Sequence, residues 1–384
     1  TRFTWTLPAG VGLGSAPVVS PDSRYVAFVG VDGAQSRLYV RALGDFDAHA
    51  VPGSEGARQP FWSPDSRWIA FFSRGRVMKA SVAGGSPVTV VEAPRTTAVG
   101  TRRTEQGGTW SSRGQIVYGA GYGDPVLSRV DANGGPVSAV TVLTPRQDAR
   151  HRFPSFLPDG AHVLFFAGTE AEDRRGVYLA DTQAPAQVPG RRLLQSESDA
   201  IYVPLPSGDR GALLFLANGR LQFQRFDPIR REMLGQAQPL PIEVGGATVY
   251  DASLFGASQD VLAYSPSPLV VGERISAVNE DGSGLTVVNE REIQQWPRVA
   301  PGGHALAWLR VDPVSTIPDI WVEDLVRHTR VRVTTSIGRD LMHVWSPDGM
   351  RLAYRPEFAE PRRLDIVSAD GSGTTETVVC PRAY

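Results

Sequence analysis

Cysteine is nearly absent from this sequence. Cys380 is the only one, so no intrachain disulfide can form and a cysteine-ligated zinc or iron site is excluded. Lysine is equally scarce, because Lys79 is the only one and arginine supplies the other cations. A GC-rich coding sequence accounts for most of this bias, although arginine also suits bidentate recognition of anions. The formal net charge is -1, so no global field favours nucleic acid or an anionic membrane.

Long apolar runs are missing as well. No run of eighteen or more apolar residues occurs, and the first thirty residues lack a charged start followed by an apolar core. We therefore expect neither a membrane span nor a signal peptide in this chain. The 384 residues are nevertheless 41% hydrophobic, which is ample for a sizeable core.

What the sequence has in abundance is a turn motif between two β-rich runs. In residues 59–72, Phe61 and Trp62 favour a strand, a Ser-Pro-Asp-Ser segment favours a turn, and a second apolar run follows. The motif recurs, complete or degenerate, at spacings of roughly 43 to 51 residues, the period range of propeller blades. Its copies occupy residues 20–23, 63–66, 111–114, 157–160, 207–210, 256–259, 300–303 and 346–349.

Each copy predicts a unit of four short antiparallel strands. A β-rich run follows each turn, a third run comes next, and tight-turn pairs such as Asp370-Gly371 lead into a fourth. We therefore predict an all-β chain that forms a single β-propeller over residues 1–384, with four-stranded antiparallel blades. A β-sandwich would not repeat its strands in one order at a fixed period. The predicted units are residues 15–52, 57–92, 107–145, 151–196, 199–240, 250–290, 294–336 and 340–380.

Two segments compete for the strand that would close the ring. Residues 2–7 alternate as an outer strand does and precede the first blade, whereas residues 375–379 would complete the last blade. We favour eight blades, and seven is the alternative.

The turns between aromatic-rich strands resemble TolB-type, WD40-like propeller repeats over essentially the whole chain. More narrowly, residues 2–8, residues 59–66 with Lys79 and residues 84–87 behind them, and residues 154–160 resemble the C-terminal sensor propellers of bacterial receptor-type serine/threonine protein kinases. In that family the propeller follows a cytoplasmic kinase domain and one transmembrane helix. The resemblance implies a sensor domain that faces the periplasm or the cell exterior.

Several departures limit what this resemblance implies. The third, fifth and sixth turns lack proline, and no unit carries the Gly-His and Trp-Asp pairs of eukaryotic-type repeats. Kinase signatures and a Gly-x-Ser-x-Gly nucleophile elbow are absent from the sequence, so this chain alone is neither a kinase nor a serine peptidase. The six histidines show no close ligand spacing. We therefore predict no catalytic residue, no metal site and no cofactor.

The candidate binding site is the rim of the propeller's central channel. The innermost strand of each blade lines the channel, and the loop leading into that strand lies on one rim. Arginine, amide, histidine and aromatic side chains at a concave mouth suit a small polar or anionic ligand or a peptide end. His343 there takes the place that proline holds in other units. The predicted ligand-binding residues are Arg58, Gln59, His151, Arg152, Tyr250, Asp251, Gln295, Trp296, Asp340 and His343.

Three functions are compatible with the sequence. The leading interpretation is a non-catalytic sensor propeller that binds a small polar ligand, a peptide or an envelope protein at the channel mouth. The second is a metal-assisted propeller lyase or hydrolase that acts on a polysaccharide or peptide, with His151 and His343 near the chemistry. The third is a protein-docking scaffold similar to TolB. We expect no nucleic-acid partner and no direct membrane insertion by this chain.

Overall fold

Short runs of β-branched and aromatic residues form antiparallel strands throughout the computed structural model. The structure describes residues 4–32, 35–92, 106–121, 124–143, 150–168, 174–186, 192–196, 198–205, 210–217, 220–244, 254–266, 273–277, 286–292, 294–311, 318–335, 340–356 and 363–379. In these ranges there is no helix, and hence none long and apolar enough to cross a membrane. The chain divides into unit 1, Thr1–Leu269, and unit 2, Val270–Tyr384.

The described part of unit 1 contains six antiparallel sheets that follow one another along the chain. Sheet 1 comprises β1 (Gly12–Leu13), β2 (Val18–Val19), β3 (Tyr25–Asp32), β4 (Gln35–Ala42) and β5 (His49–Ala50). Sheet 2 comprises β6 (Arg58–Trp62), β7 (Trp68–Ser73), β8 (Arg76–Ser81) and β9 (Val88–Glu92). Sheet 3 comprises β10 (Gly108–Trp110), β11 (Gln115–Gly121), β12 (Asp124–Asp131) and β13 (Ser138–Ala139). Sheet 4 comprises β14 (Arg150–Phe156), β15 (His162–Gly168) and β16 (Gly176–Asp181). Sheet 5 comprises β17 (Ala200–Pro204), β18 (Gly211–Ala217), β19 (Arg220–Asp227) and β20 (Glu232–Pro239), and sheet 6 comprises β21 (Phe255–Ala257) and β22 (Leu262–Tyr264).

Unit 2 repeats the same antiparallel pattern. A two-stranded sheet of β23 (Glu273–Ala277) and β24 (Thr286–Glu292) comes first. Sheet 7 comprises β25 (Gln294–Val299), β26 (Ala305–Val311), β27 (Pro318–Asp324) and β28 (Thr329–Arg332). Sheet 8 comprises β29 (Asp340–Trp345), β30 (Arg351–Pro356), β31 (Arg363–Ser368) and β32 (Glu376–Val379). The prediction of an all-β chain with four-stranded antiparallel sheets is confirmed.

Each Ser-Pro-Asp turn is locked by hydrogen bonds of its own side chains. In sheet 2, Ser63 Oγ donates to Asp65 Oδ1 over 2.6 Å and accepts from Trp68 N over 2.9 Å. The bond from Ser63 lowers the pKa of the Asp65 carboxyl. Ser66 closes the turn in the left-handed region, at a φ of 60°. This explains why glycine or serine holds the fourth position, since a bulky or β-branched residue is disfavoured there.

Neighbouring sheets are joined by the aromatic residue that precedes this turn. Trp62 is 7% exposed, stacks on Tyr25 of sheet 1 at a centroid distance of 6.1 Å, and donates from Nε1 to Val18 O over 3.0 Å. Trp345 of sheet 8 makes the equivalent bond to Arg298 O of sheet 7 over 2.9 Å. Both tryptophans therefore pack between neighbouring sheets.

In unit 1 the succession of sheets returns to its start, because sheet 6 packs against sheet 1. Val19 and Val26 of sheet 1 share a buried cluster with Ala263 of sheet 6. Ser23 Oγ and Ser258 Oγ lie 2.8 Å apart, within hydrogen-bonding distance, across the same seam. Six sheets of unit 1 are thus in cyclic contact, and the predicted ring of eight blades is not confirmed.

Of the two segments that compete for the closing strand, the first forms no strand in its described part, residues 4–7. Trp5 instead packs beside the cluster shared by sheets 1 and 6, and the Arg41 guanidinium lies over its ring at 5.1 Å. The packing of the Trp5 indole, and not the alternation of apolar and polar residues, therefore determines the conformation of this segment. Sheet 8 is completed by Glu376–Val379, within the competing segment.

We expect Trp62→Ala to lower the free energy of unfolding by about 3–5 kcal/mol, because it empties a packed site between two sheets. Trp62→Phe should cost about 1–2 kcal/mol, since it keeps most of the packing and loses only the bond to Val18 O. Phe46→Ala is the control, as Phe46 is 92% exposed. Denaturant unfolding of the three variants measures the effects, and equal stabilities would refute the role of Trp62.

Candidate functional site

A β-bulge recurs at one position in the first strands of sheets 2, 4, 7 and 8. At each bulge the strand carries one extra residue, and the pairing shifts between Arg58 and Phe61 in the first case. A residue with positive φ lies at each bulge: Gln59 (43°), Phe153 (48°), Trp296 (53°) and Met342 (57°). In sheet 3, Gly107 takes the same place with a φ of 79°. A non-glycine residue in this conformation costs about 1–3 kcal/mol, and a bulge redirects the side chains around it.

In unit 1 this bulge places a polar side chain at the same step of three successive sheets. The three residues that directly precede the positive-φ position are Arg58, Gln106 and Arg152. Arg58 is exposed, whereas Gln106 is 2% and Arg152 is 8% exposed. The main chains of sheets 3 and 4 meet here, because Phe153 N donates to Gln106 O over 2.7 Å. We call Arg58, Gln106 and Arg152 the bulge triad.

Arg152 lies in a pocket of aromatic and glycine surface. Its guanidinium is 6.0 Å from the centroid of Phe166, its cross-strand partner, and the Arg175 guanidinium is 5.7 Å from the same ring. Gly168 makes room for it, since a Cβ there would lie 2.5 Å from Arg152 Nη2. Two guanidinium groups therefore share one buried phenylalanine ring.

Gln106 is the member of the triad that sequence reasoning missed. Both polar atoms of its side-chain amide are buried, and neither has a hydrogen-bond partner among the residues that the structure describes. A buried amide without partners costs free energy, so such a group calls for a ligand or an ordered water. The signal was present in the alignment of repeats: Gln106 precedes Gly107 just as Arg58 precedes Gln59.

His151 belongs to the core rather than to an open rim. It is fully buried, with its ring 4.8 Å from Phe165, and its Nδ1 lies 2.9 Å from Thr141 Oγ1. Thr141 Oγ1 also accepts a hydrogen bond from Leu127 N, so its own hydrogen is available to donate to Nδ1. Thr141 thus orients His151 between sheets 3 and 4.

In unit 2, the predicted residues Asp340 and His343 are also buried, at 0% and 2% exposure. Trp296 is half-buried, and Gln295 pairs with Leu309 in the ladder of sheet 7. Burial, reinforced by the Asp340 carboxylate, raises the pKa of the Tyr354 phenol to about 12. Asp340 therefore belongs to a buried polar cluster of sheet 8. Tyr250 and Asp251 lie outside the described residues.

His343 occupies the proline position of the bulge in sheet 8. Burial lowers its pKa from 6.5 to about 4, against the opposing effect of the main chain at Ala307 and Trp296. The imidazole is therefore neutral at pH 7. Across the described parts of the chain, no three histidine, cysteine, aspartate or glutamate side chains are grouped so as to hold a metal ion.

No protein-family model matches the chain, and no curated protein matches it. Among solved structures, it is similar to an oligogalacturonate lyase from Vibrio parahaemolyticus, with 12% identity over 94% of this chain and 92% of that one, at a TM-score of 0.40. The β-propeller domain of Swd1 from Myceliophteria thermophila shares 13% identity over 95% and 98%, at a TM-score of 0.38. A putative TolB from Agrobacterium tumefaciens shares 15% identity over 88% and 83%, at a TM-score of 0.22. The assignment of propeller-like sheets rests on the strand order described above.

We expect His343→Pro to remove part of the acid sensitivity of folding. A histidine with a pKa of about 4 when folded and 6.5 when unfolded stabilises the protein above pH 6.5, and this contribution is lost as the pH falls to about 4. The loss amounts to about 3 kcal/mol. Proline follows a positive-φ residue in sheets 2, 4 and 7, so the backbone should tolerate it.

Thermal unfolding at pH 7.5 and pH 4.5 measures this effect. The difference in Tm between the two conditions should be smaller for His343→Pro than for the wild type. His304→Gln is a control for the loss of a histidine elsewhere in unit 2. An unchanged difference in Tm for His343→Pro would contradict the assignment.

Proposed function

We propose that the chain is a non-catalytic binding propeller whose ligand carries a carboxylate and is held at the bulge triad. The observation that carries this proposal is the unpartnered, buried amide of Gln106. It lies at the same step of the repeat as Arg58 and Arg152, the two arginines of the neighbouring sheets. The positive-φ backbone position recurs in each of these sheets, whereas the side chain before it differs. We expect this where the backbone supports folding and the side chains bind a ligand.

The chemistry of the triad favours an anion with hydrogen-bonding groups. A guanidinium presents paired donors that match the two oxygens of a carboxylate. The Gln106 amide supplies one donor group and one acceptor, and these match the amide bond that precedes a peptide's terminal carboxylate. A peptide C-terminus therefore fits the triad better than inorganic phosphate does.

We further propose that the chain is the extracytoplasmic sensor domain of a receptor-type serine/threonine kinase. The support is the resemblance of residues 2–8, 59–66 and 154–160 to such propellers. Binding at the propeller would then be the input signal, and phosphorylation would belong to another domain. Sequencing the native reading frame tests this assignment, because a kinase domain and one transmembrane helix must precede this propeller.

The triad is tested with triglycine and triglycine amide as probes, by isothermal titration calorimetry. The wild type should bind the free carboxylate at least roughly tenfold more tightly than the amide, because only the former pairs with a guanidinium. Arg58→Ala and Gln106→Ala should each weaken binding of triglycine by roughly tenfold or more.

Arg67→Ala is the matched control, since Arg67 is an exposed arginine at the other end of the same strand pair. It should bind triglycine as the wild type does. Circular dichroism of each variant verifies folding, and Arg58→Ala is the decisive one because its side chain is exposed. Equal affinity of Arg58→Ala and wild type, or of triglycine and its amide, would overturn the triad as a binding site.

The non-catalytic part of the proposal has its own test. Protein purified without chelators should contain far less than one divalent ion per chain, measured by inductively coupled plasma mass spectrometry. A nearly stoichiometric ion that survives dialysis would instead favour the metal-assisted lyase or hydrolase.

A further inference from the structure

The face of sheet 3 that packs against sheet 4 is apolar at one end of its strands and polar at the other end. At one end, Val117, Leu127 and Val140 are buried against Val163 and Phe165. At the other end the same strands present only polar side chains on this face. Gln115 lies opposite Asp131, and Arg129 lies opposite Ser138, in the strand register. Residues two apart along a strand share a face, so all four side chains project to the same side as the apolar cluster.

Where the apolar contact ends, a cleft opens between the two sheets. Its volume is about 240 Å³, and its polar lining comes from Gln115, Arg129, Asp131 and Ser138 of sheet 3 together with Gln183, which follows β16 of sheet 4. No aromatic side chain lines it among the described residues. The cleft lies on the outer strands, away from the bulge triad, and none of its residues was singled out by the sequence.

Hydrogen bonds fix which atoms face the cleft. Gln183 Nε2 donates to Gln115 Oε1 over 3.0 Å and to Thr182 Oγ1 over 3.1 Å, so Gln183 offers its Oε1 as an acceptor and Gln115 offers its Nε2 as a donor. Arg129 Nε is tied to Ser138 Oγ over 2.8 Å, which leaves the terminal nitrogens of its guanidinium for a ligand. These bonds fix the side chains on the cleft before any ligand binds; they are Gln115, Arg129, Ser138 and Gln183.

Asp131 supplies the complementary charge. Its Oδ1 accepts from Asn133 N over 2.8 Å, and Oδ2 is left to receive a hydrogen bond from a ligand. Arg129 and Asp131 lie two residues apart on one strand face, so a donor and an acceptor alternate at a short spacing. Their charges cancel, and the cleft therefore has no net preference for an anion or a cation.

We infer that this cleft binds a neutral polyhydroxylated molecule of about monosaccharide size. Each hydroxyl of a vicinal diol can accept from the guanidinium or the Gln115 amide while it donates to Asp131 or Gln183. A volume of about 240 Å³ is below the usual range for drug-sized ligands and suits one sugar ring. This inference does not depend on the proposed function at the bulge triad.

The test is binding of the methyl glycosides of glucose, galactose and mannose to the full chain, by saturation-transfer NMR and calorimetry. At least one neutral glycoside should bind, and the matching uronate should bind no more tightly, because the charges of Arg129 and Asp131 offset each other around its carboxylate. Gln183→Leu should weaken binding of the glycoside by roughly tenfold or more, and its exposed position leaves folding intact.

Gln224→Leu is the matched control, because this glutamine also carries a hydrogen-bonded amide but lies in sheet 5. It should bind the glycoside as the wild type does. Absence of binding to all three glycosides would overturn the inference. So would roughly tenfold tighter binding of the uronate than of the glycoside, which would indicate an anion site, or wild-type affinity in Gln183→Leu.

Discussion

The structure depends on one constraint: an antiparallel sheet with two apolar faces must be covered on both sides, and the sheets next to it in space cover it. The buried clusters follow this rule, because each joins two adjacent sheets. Ala70 of sheet 2 packs with Ile116 of sheet 3, Val117 of sheet 3 packs with Val163 of sheet 4, and Leu309 of sheet 7 packs with Leu352 of sheet 8. Stability is therefore distributed over the contacts between sheets, and in sheets 2 and 8 a tryptophan beside the turn strengthens this contact.

The residues that pack neighbouring sheets together differ from the residues that we propose bind a ligand. The tryptophan beside the Ser-Pro-Asp turn stabilises the contact between sheets. Trp62 and Trp345 both donate a hydrogen bond to the equivalent carbonyl of the preceding sheet. The inner-strand bulge is repeated with equal regularity, but the side chain beside it is free to vary. Arginine, glutamine and arginine occupy this step in sheets 2 to 4. A side chain that varies beside a repeated, strained backbone position can acquire a binding role without changing how the sheets pack.

The candidate site was only partly visible in the sequence. Arg58 and Arg152 were identified because the repeat assigns them to the first strand of a unit, and they lie in β6 and β14. His151, Asp340 and His343 were placed on the rim by the same reasoning, yet all three are buried. Burial depends on partners such as Phe165, which strand pairing alone does not reveal. Gln106 was missed because its repeat has glycine where others have proline.

By itself the sequence determined the all-β class, the period, the turns and the tryptophans that join sheets, because each follows from local propensity repeated at a fixed interval. It also excluded a disulfide within these 384 residues, since Cys380 is the only cysteine among them. Only the tertiary structure decided that sheet 6 packs on sheet 1, that Trp5 packs without forming a strand, and that a polar cleft opens between sheets 3 and 4. These features depend on contacts between residues far apart in the chain. Local sequence patterns are compatible with several such arrangements, and side-chain packing determines which one forms.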